Sequence, residues 1–333
     1  MSIANPELKW QTTLNRNIGL EFSLLQGLVN LDFNYYSNIT KNNLTDIAIL
    51  PSTGFSTYKA NMGKVRNQGY EFSLSITPIK KNGWIVNAFV NGAHNKNKLL
   101  NISDALRDYN EVIKENQTAH LNYAGYTQLE RIFLFEEGQS LNSIFAVRSM
   151  GIDPGTGQEI FVTADGVQTF QWNAADQVVV GNTEPTLKGY FGLNVDYKRW
   201  SFGVNFQYSF GADRYNKTLY EKIEGGNFAQ NADRRALTQR WTKPGDVAKY
   251  RGYGNTSQLK PTSRFVQKDD FLSMTSARLS YTLNANDLQA LGISLLKFTL
   301  STNDLFYVST IKQERGLSYP FARTFYFSLQ ANF

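Results

Sequence analysis

Hydrophobic and polar residues alternate along the last eleven positions of the chain, RTFYFSLQANF (323–333). Phe325, Phe327, Leu329 and Phe333 fall on one face of an extended segment, and polar neighbours fall on the other. A tilted strand of about ten residues also matches the hydrocarbon thickness of a bilayer. The segment is predicted to be a membrane β-strand, although an edge strand of a soluble sandwich would show the same pattern.

The same alternation recurs through the rest of the chain, for example from Val29 to Tyr35 and from Trp200 to Tyr208. Each such run has one apolar face and one polar face, as expected of strands between lipid and water. Nine strands are predicted, near residues 8–24, 28–43, 64–80, 83–97, 186–198, 200–213, 265–282, 292–305 and 321–333.

The links between these segments alternate in length. Short links at 25–27, 81–82, 198–199 and 284–291 alternate with long ones at 44–63, 98–185, 214–264 and 306–320. Outer-membrane barrels have this asymmetry, with tight periplasmic turns and long extracellular loops. A soluble sandwich has no reason to sort its links in this way. The predicted fold class is therefore all-β, an antiparallel transmembrane β-barrel segment.

Composition agrees with this fold and excludes several others. Aromatic residues make up 14% of the chain, and the mean hydropathy is -0.38, which suits a barrel with a wet lumen. The formal charge of +6 is scattered, so no nucleic-acid surface is predicted. With no cysteine in 333 residues, disulfides and thiolate metal sites are excluded, and no cofactor is predicted.

An odd number of strands is unexpected for a complete bacterial barrel, in which both termini lie in the periplasm and the strand number is even. An open sheet in lipid would also expose unpaired backbone groups at two edges. Residues 1–10 carry no export signal. The chain is therefore expected to be the C-terminal part of a longer barrel protein.

Six ordered motifs resemble the SusC/RagA family, the TonB-dependent outer-membrane transporters of Bacteroidetes. They are NPELKWQTT, LPSTGFSTYKANMGKVRNQGYEFSL, GIDPGTGQEIF, VGNTEPTLKGYFGLNVDY, NADRRALTQRWTKPGD and YPFARTFYFSLQANF. The resemblance covers essentially the whole chain. It implies that residues 1–333 form about nine strands of a 22-stranded barrel, without the plug domain and the signal peptide.

The resemblance also implies a function and a set of partners. The parent protein would import glycan fragments or peptides beneath a SusD-like lipoprotein, with TonB acting through a region N-terminal to this chain. The last strand, with Phe327, Leu329 and Phe333, would serve as the signal for the barrel assembly machinery. A structural or adhesive barrel without transport remains the alternative.

Two groups of candidate contact residues follow from the pattern. Aromatic faces beside amides suit sugar rings, so Tyr123, Tyr126 and Trp172 in the longest loop are candidate substrate contacts. The competing interpretation, that loop aromatics fill a small core of the loop, is the stronger one. Alternation predicts that six polar side chains face the lumen, where their simplest role is to wet it: Asn87, Asn194, Asn205, Gln207, Arg278 and Lys297.

The remaining motifs are interpreted as structural. GIDPGTGQ (151–158) predicts tight turns capped by Asp153; a calcium site shared with Asp165 matches no compact calcium loop. Only NADRRALTQRW (231–241) is predicted to have helical character. The adjacent carboxylates at 136–137 and 269–270 point apart in a strand and are interpreted as solvated charges. The chain is therefore not predicted to be an enzyme, and hydrolysis is kept only as a weak alternative.

Overall fold

The computed structural model describes residues 5–48, 57–115, 134–226, 233–253, 259–284, 288, 292–312 and 323–333. Among these residues, no helix is both long enough and apolar enough to cross a membrane. One large antiparallel sheet dominates the described chain. The strands are β1 (Thr12–Leu24), β2 (Val29–Lys41), β3 (Leu44–Ala48), β4 (Thr57–Asn61), β5 (Gly63–Lys81), β6 (Trp84–Ile102), β7 (Ser143–Ile152), β8 (Glu159–Val162), β9 (Gln168–Thr169), β10 (Gln177–Asn182), β11 (Leu187–Tyr197), β12 (Trp200–Phe210), β13 (Asp213–Tyr215), β14 (Val266–Lys268), β15 (Phe271–Asn284), β16 (Leu295–Asn303), β17 (Tyr307–Ser309) and β18 (Thr324–Asn332).

The large sheet has the order β1-β2-β5-β6-β11-β12-β15-β16-β18, with β17 paired to the end of β15. These nine strands correspond to the nine predicted segments, so the all-β antiparallel prediction is confirmed. The bounds differ in places: β5 and β6 have 19 residues each, and β15 begins at Phe271. Because a tilted strand of about ten residues crosses a bilayer, strands of this length extend well beyond it.

Short turns and long connections alternate between neighbouring strands, as predicted. Asn82 and Gly83 form a two-residue hairpin loop, and both have positive φ (53° and 80°), as an Asn-Gly hairpin turn requires. Lys198 and Arg199 connect β11 to β12 at the same end of the sheet. The long connections lie at the opposite end, where they fold into smaller units.

These long connections carry structure that the alternation did not reveal. β3 and β4 form a hairpin, β10-β7-β8-β9 form a four-stranded sheet, and β13 pairs with β14. Helix α1 (Asp104–Glu115) packs Leu106 against Leu99 and Val65, at the ends of β6 and β5 that carry the long connections. The prediction of helix only within 231–241 was therefore incomplete. A short helix, α2 (Arg234–Thr238), does form there and is capped by Asp233.

Burial in this protein is inverted relative to a soluble domain. The largest fully buried apolar side chains, Phe265, Leu99, Leu106 and Ile223 among them, belong to the loops or the loop-bearing ends of strands. The apolar side chains of the large sheet are exposed instead, with Phe22 at 49% and Phe327 at 69%. A soluble protein rarely exposes a continuous apolar face of this extent. The sheet therefore presents a face suited to lipid.

An aromatic row crosses the apolar face next to the short turns. The register places Trp84 opposite Tyr197, Tyr197 opposite Trp200, and Trp200 opposite Tyr281. The ring centroids of Trp84 and Tyr197 are 4.0 Å apart, and those of Trp200 and Tyr281 are 4.7 Å apart. Membrane barrels carry such aromatic girdles at the level of the headgroups.

Candidate functional site on the polar face and its loops

The six polar residues predicted from alternation share one face of the sheet. Asn87 pairs with Asn194, which pairs with Gly203, and Gly203 pairs with Arg278. Residues directly opposite each other in an antiparallel ladder lie on the same face. The same register carries Asn205, Gln207 and Lys297 on this face. All six therefore lie opposite to the aromatic row.

Two of these amides are bonded within the wall itself. The side-chain amide of Asn87 donates to the hydroxyls of Ser75 (3.0 Å) and Thr77 (3.2 Å). The amide of Asn205 donates to the Ser276 hydroxyl (2.9 Å). Cross-strand polar pairs of this kind stabilise a sheet. Asn87 and Asn205 thus have structural roles on the polar face.

The polar face also contains a concave region of about 550 Å³ between β2 and β12. Its lining mixes carboxylates, amides and one ammonium group: Asp32, Asn34, Glu71, Asn91, Lys188 and Gln207. Asn34 pairs with Glu71, and Asp32 pairs with Ser73. Dense donors and acceptors at one surface suit hydroxyl-rich or peptide ligands.

A polar chain fastens the longest loop to the wall. The Tyr36 hydroxyl donates to Asn95 (3.0 Å), and the Asn95 amide donates to a carboxylate oxygen of Glu184. The second oxygen of Glu184 accepts from Asn142 (3.3 Å). Asn97 extends the anchor, since it donates to Asn67 (2.7 Å) and accepts from the backbone of Leu141 (2.8 Å). The two ends of the four-stranded loop sheet are thereby held at the rim.

Above the rim, parts of two loops share a buried ion network. We call the described residues of 143–182 and 213–268 the loop shell. Arg264 contacts Glu159 and Glu224, each at 2.9 Å, and Arg251 contacts the other oxygen of Glu224 at 2.8 Å. The Glu224 side chain is fully buried. Thr262 donates to Glu159 as well (2.8 Å). The network joins β8 of one loop to the second loop.

The electrostatics of this network favour its charged form. Burial raises the pKa of the Glu224 carboxyl, but the charges and hydrogen bonds of Arg264 and Arg251 outweigh it, so the net pKa lies below its usual value. Burial lowers the pKa of Arg264, whereas Glu159 and Glu224 raise it to a net value above that of a free guanidinium. Both partners are therefore ionised at neutral pH, and removal of either would leave an unpaired buried charge.

A third arginine, Arg240, organises the neighbouring helical segments. Arg240 donates to the carbonyls of Ile223 (2.6 Å), Glu224 (2.7 Å) and Ala236 (2.9 Å). These carbonyls belong to a π-helical segment (Thr218–Glu224) and to α2. One guanidinium thus joins carbonyls from two segments, at helix ends whose carbonyls lack partners within the helix.

The predicted substrate contacts meet different outcomes. Trp172 bridges the two loops, because its indole N–H donates to the Pro261 carbonyl (3.1 Å) and the Lys260 ammonium lies 4.9 Å from its ring. Its structural role is clear, and substrate contact by Trp172 stays a prediction. Tyr123 and Tyr126 lie outside the described residues. Phe327, Leu329 and Phe333 are exposed on the last strand, where their role in assembly also stays a prediction.

Other residues correct the sequence interpretation. Asp269 is buried and bonded to Arg214 (2.6 Å), and Asp270 accepts from the Gly211 amide (2.6 Å), so this pair is not simply solvated. Asp153 does cap its turn, accepting from Thr156 (2.9 Å). The ion network was missed because Glu224 and Arg264 are 40 residues apart, and no local pattern connects them.

Comparisons with known proteins agree with this geometry. The family model described as "TonB dependent receptor-like, beta-barrel" matches residues 1–129. TonB-dependent receptor P39 of Formosa agariphila is 27% identical, over 92% of this chain and 32% of that protein. TonB-dependent receptor SusC of Bacteroides thetaiotaomicron is 25% identical, over 68% of this chain and 22% of that protein.

The chain is similar to TonB-dependent receptors of the SusC/RagA type. It spans about a third of the length of the first relatives it matches. A structure of the RagAB peptide transporter has the same fold, with a TM-score of 0.73 at 22% identity over 93% of this chain and 33% of that chain. These relatives are outer-membrane proteins, and the same location applies to this chain. The exposed apolar face of the sheet is therefore its lipid-facing side.

Proposed function

We propose that residues 1–333 are the C-terminal part of the barrel of a TonB-dependent importer with about 22 strands. The observation that carries this proposal is the nine-stranded sheet with an exposed apolar face on one side and a polar face on the other. Strands β1 and β18 end the sheet, and both are exposed along their whole length. Lipid does not tolerate such open edges, so further strands close the barrel.

The proposed cargo is a short oligosaccharide or peptide. Asn87, Asn194, Asn205, Gln207, Arg278 and Lys297 would lie along its lumenal path and keep that path wet. The concave region beside Asp32 and Glu71 would give the passing ligand exchangeable hydrogen bonds. Transport, and not catalysis, is the proposed activity.

The proposed partners act at three places. A SusD-like lipoprotein would cover the loop shell from outside, and TonB would act through a segment N-terminal to this chain. The barrel assembly machinery would recognise β18 through Phe327, Leu329 and Phe333. The name of the RagAB peptide importer, whose fold this chain shares, supports an import function of this kind.

The full-length receptor tests the proposal. It is expected to copurify with a lipoprotein in mild detergent, and uptake of its ligand is expected to stop when TonB is deleted. A receptor that purifies alone and still takes up the ligand would contradict the lipoprotein partner. Uptake that is unchanged without TonB would contradict energised import.

A further inference from the structure

The loop shell borders a cavity of about 500 Å³ that is open to solvent on one side and lies beside the buried ion network. We call it the shell cavity. It is separate from the concave region on the polar face, since the two share no lining residue. Cationic, amide and aromatic side chains supply most of its wall: Arg235, Gln239, Lys249, Tyr250, Arg264 and Phe265.

The charge around the shell cavity is positive. Three cations line it, and no carboxylate does so among the described residues. The charged groups that line the cavity, together with those packed directly behind its wall, are five cations and three carboxylates, an excess of two positive charges. The cations are Arg235, Arg240, Lys249, Arg251 and Arg264, and the carboxylates are Glu159, Glu224 and Asp233.

Most of these cations are already bound by the protein, and this singles out Lys249. Arg264 is bound by Glu159 and Glu224, and Arg235 by Asp233 at 2.8 Å. The backbone of Lys249 is fixed, because its N–H donates to the Gln239 carbonyl (3.0 Å) and its carbonyl accepts from Arg264 (2.6 Å). Its side chain is exposed, and within the described chain its ammonium has no ion-pair partner.

The other lining groups suit an organic ligand and not a bare ion. Tyr250 is 5% exposed and Phe265 is 1% exposed, so both rings are packed inside the loop shell and give the cavity a rigid backing. Half-buried Leu219 and Ala248 supply apolar surface that a ligand can reach. Gln239 follows the end of α2 and adds an amide donor and acceptor. Apolar surface beside an amide and a cation suits a ligand that has both an apolar face and a negative charge.

We propose that the shell cavity binds the carboxylate of a short anionic oligomer through Lys249. This inference rests on the proposed import function and names the chemical class of its ligand. Such a carboxylate belongs either to a uronate in an acidic oligosaccharide or to an acidic side chain in a peptide. Both sources present the same charge to Lys249, and the amide of Gln239 lies on the same wall.

Binding to the full-length receptor, measured by calorimetry in detergent at low salt, tests the site. The probes are trigalacturonate, a triglutamate peptide and neutral maltotriose. At least one acidic probe is expected to bind more tightly than maltotriose and to weaken as salt rises. Lys249→Gln is expected to weaken that binding by about two- to fivefold, the upper part of the range for an exposed ion pair.

Two further variants control for folding and position. Lys243→Gln removes an exposed lysine of the same loop that does not line the cavity, and it is expected to leave binding unchanged. Gln239→Glu adds a negative charge to the wall and is expected to weaken binding at least as much as Lys249→Gln. The probe that binds identifies a glycan or a peptide as the source.

The proposal is overturned if neither acidic probe binds more tightly than maltotriose, or if Lys249→Gln and Lys243→Gln behave alike. This result is independent of import. A receptor that imports neutral oligosaccharide but ignores both acidic probes would keep the proposed function and lose the anionic site. A receptor that binds an acidic probe through Lys249 but shows no TonB-dependent uptake would keep the anionic site and lose the proposed function.

Discussion

At the scale of single residues, the most consequential group is Glu224, a buried carboxylate held between two guanidinium groups. Replacing it by Gln in Glu224→Gln removes the charge and leaves Arg264 short of a partner. Loss of one member of a buried pair destabilises the surrounding structure by on the order of 3 kcal/mol. We expect faster hydrogen exchange at 218–224 and 248–252 and unchanged exchange in the large sheet.

The matched control is Glu221→Gln, one turn earlier in the same segment and outside the ion network. It is expected to exchange like the wild type. Equal exchange in the two variants would mean that the ion network does not hold the loop shell together.

Gly189 allows two strands of the wall to approach each other closely. Gly189 lies opposite Gly92, and the Tyr208 hydroxyl crosses both glycines to donate to the Asn91 carbonyl (2.8 Å). A Cβ atom at Gly189 would lie 2.0 Å from that carbonyl oxygen. Gly189→Ala is therefore expected to cost about 1–3 kcal/mol and to lower the temperature at which the folded band is lost in semi-native electrophoresis.

Gly155→Ala serves as the control for this prediction, because its nearest neighbour would be 3.5 Å away. We expect this variant to lose its folded band at the same temperature as the wild type. If Gly189→Ala also melts at the wild-type temperature, the close approach of the two strands contributes nothing measurable to stability.

At the scale of elements, the loop shell is expected to respond to acid separately from the barrel. The pKa of Asp233, which caps α2, falls to about 2 because Arg235 hydrogen-bonds to its carboxylate, and the pKa of Glu224 is lowered too. Depressed carboxylate pKa values give stability that is present above the unfolded pKa and lost as the pH falls through the folded pKa.

We therefore expect the loop shell to be intact from pH 7 to about pH 4.5 and to loosen progressively between about pH 4 and pH 2. Trp241 reports on it, since its indole N–H donates to Pro154 across the two loops (2.8 Å). Its emission should shift to the red over this range, and Asp233→Asn should reduce the shift near pH 2. A spectrum constant down to pH 2 would be incompatible with this account.

Alternation predicted the nine wall strands and the shared face of Asn87, Asn194 and Arg278, because lipid and water impose a period of two on every strand. It could not predict the loop shell. Helix α1 was missed although Leu106, Tyr109 and Val112 recur at helical spacing, because a strand period of two does not detect them. The pairing of Glu159 with Arg264 joins residues 105 apart, and such contacts arise only from tertiary packing.

At the scale of the whole molecule, the central claim is that one face of the large sheet meets lipid and the other meets water. These 333 residues contain no cysteine, so single cysteines can be placed along β12 without a competing thiol in this chain. Any cysteine elsewhere in the full-length receptor is replaced by serine before spin-labelling in bilayers. Oxygen partitions into hydrocarbon, whereas a nickel chelate stays in water. The positions are Phe202, Gly203, Val204, Asn205, Phe206 and Gln207.

Oxygen should relax labels at 202, 204 and 206 more strongly, and the nickel chelate should relax those at 203, 205 and 207. This alternation is the result that a barrel wall between lipid and a wet lumen predicts. Uniform accessibility along β12, or oxygen preference at the polar positions, would contradict it.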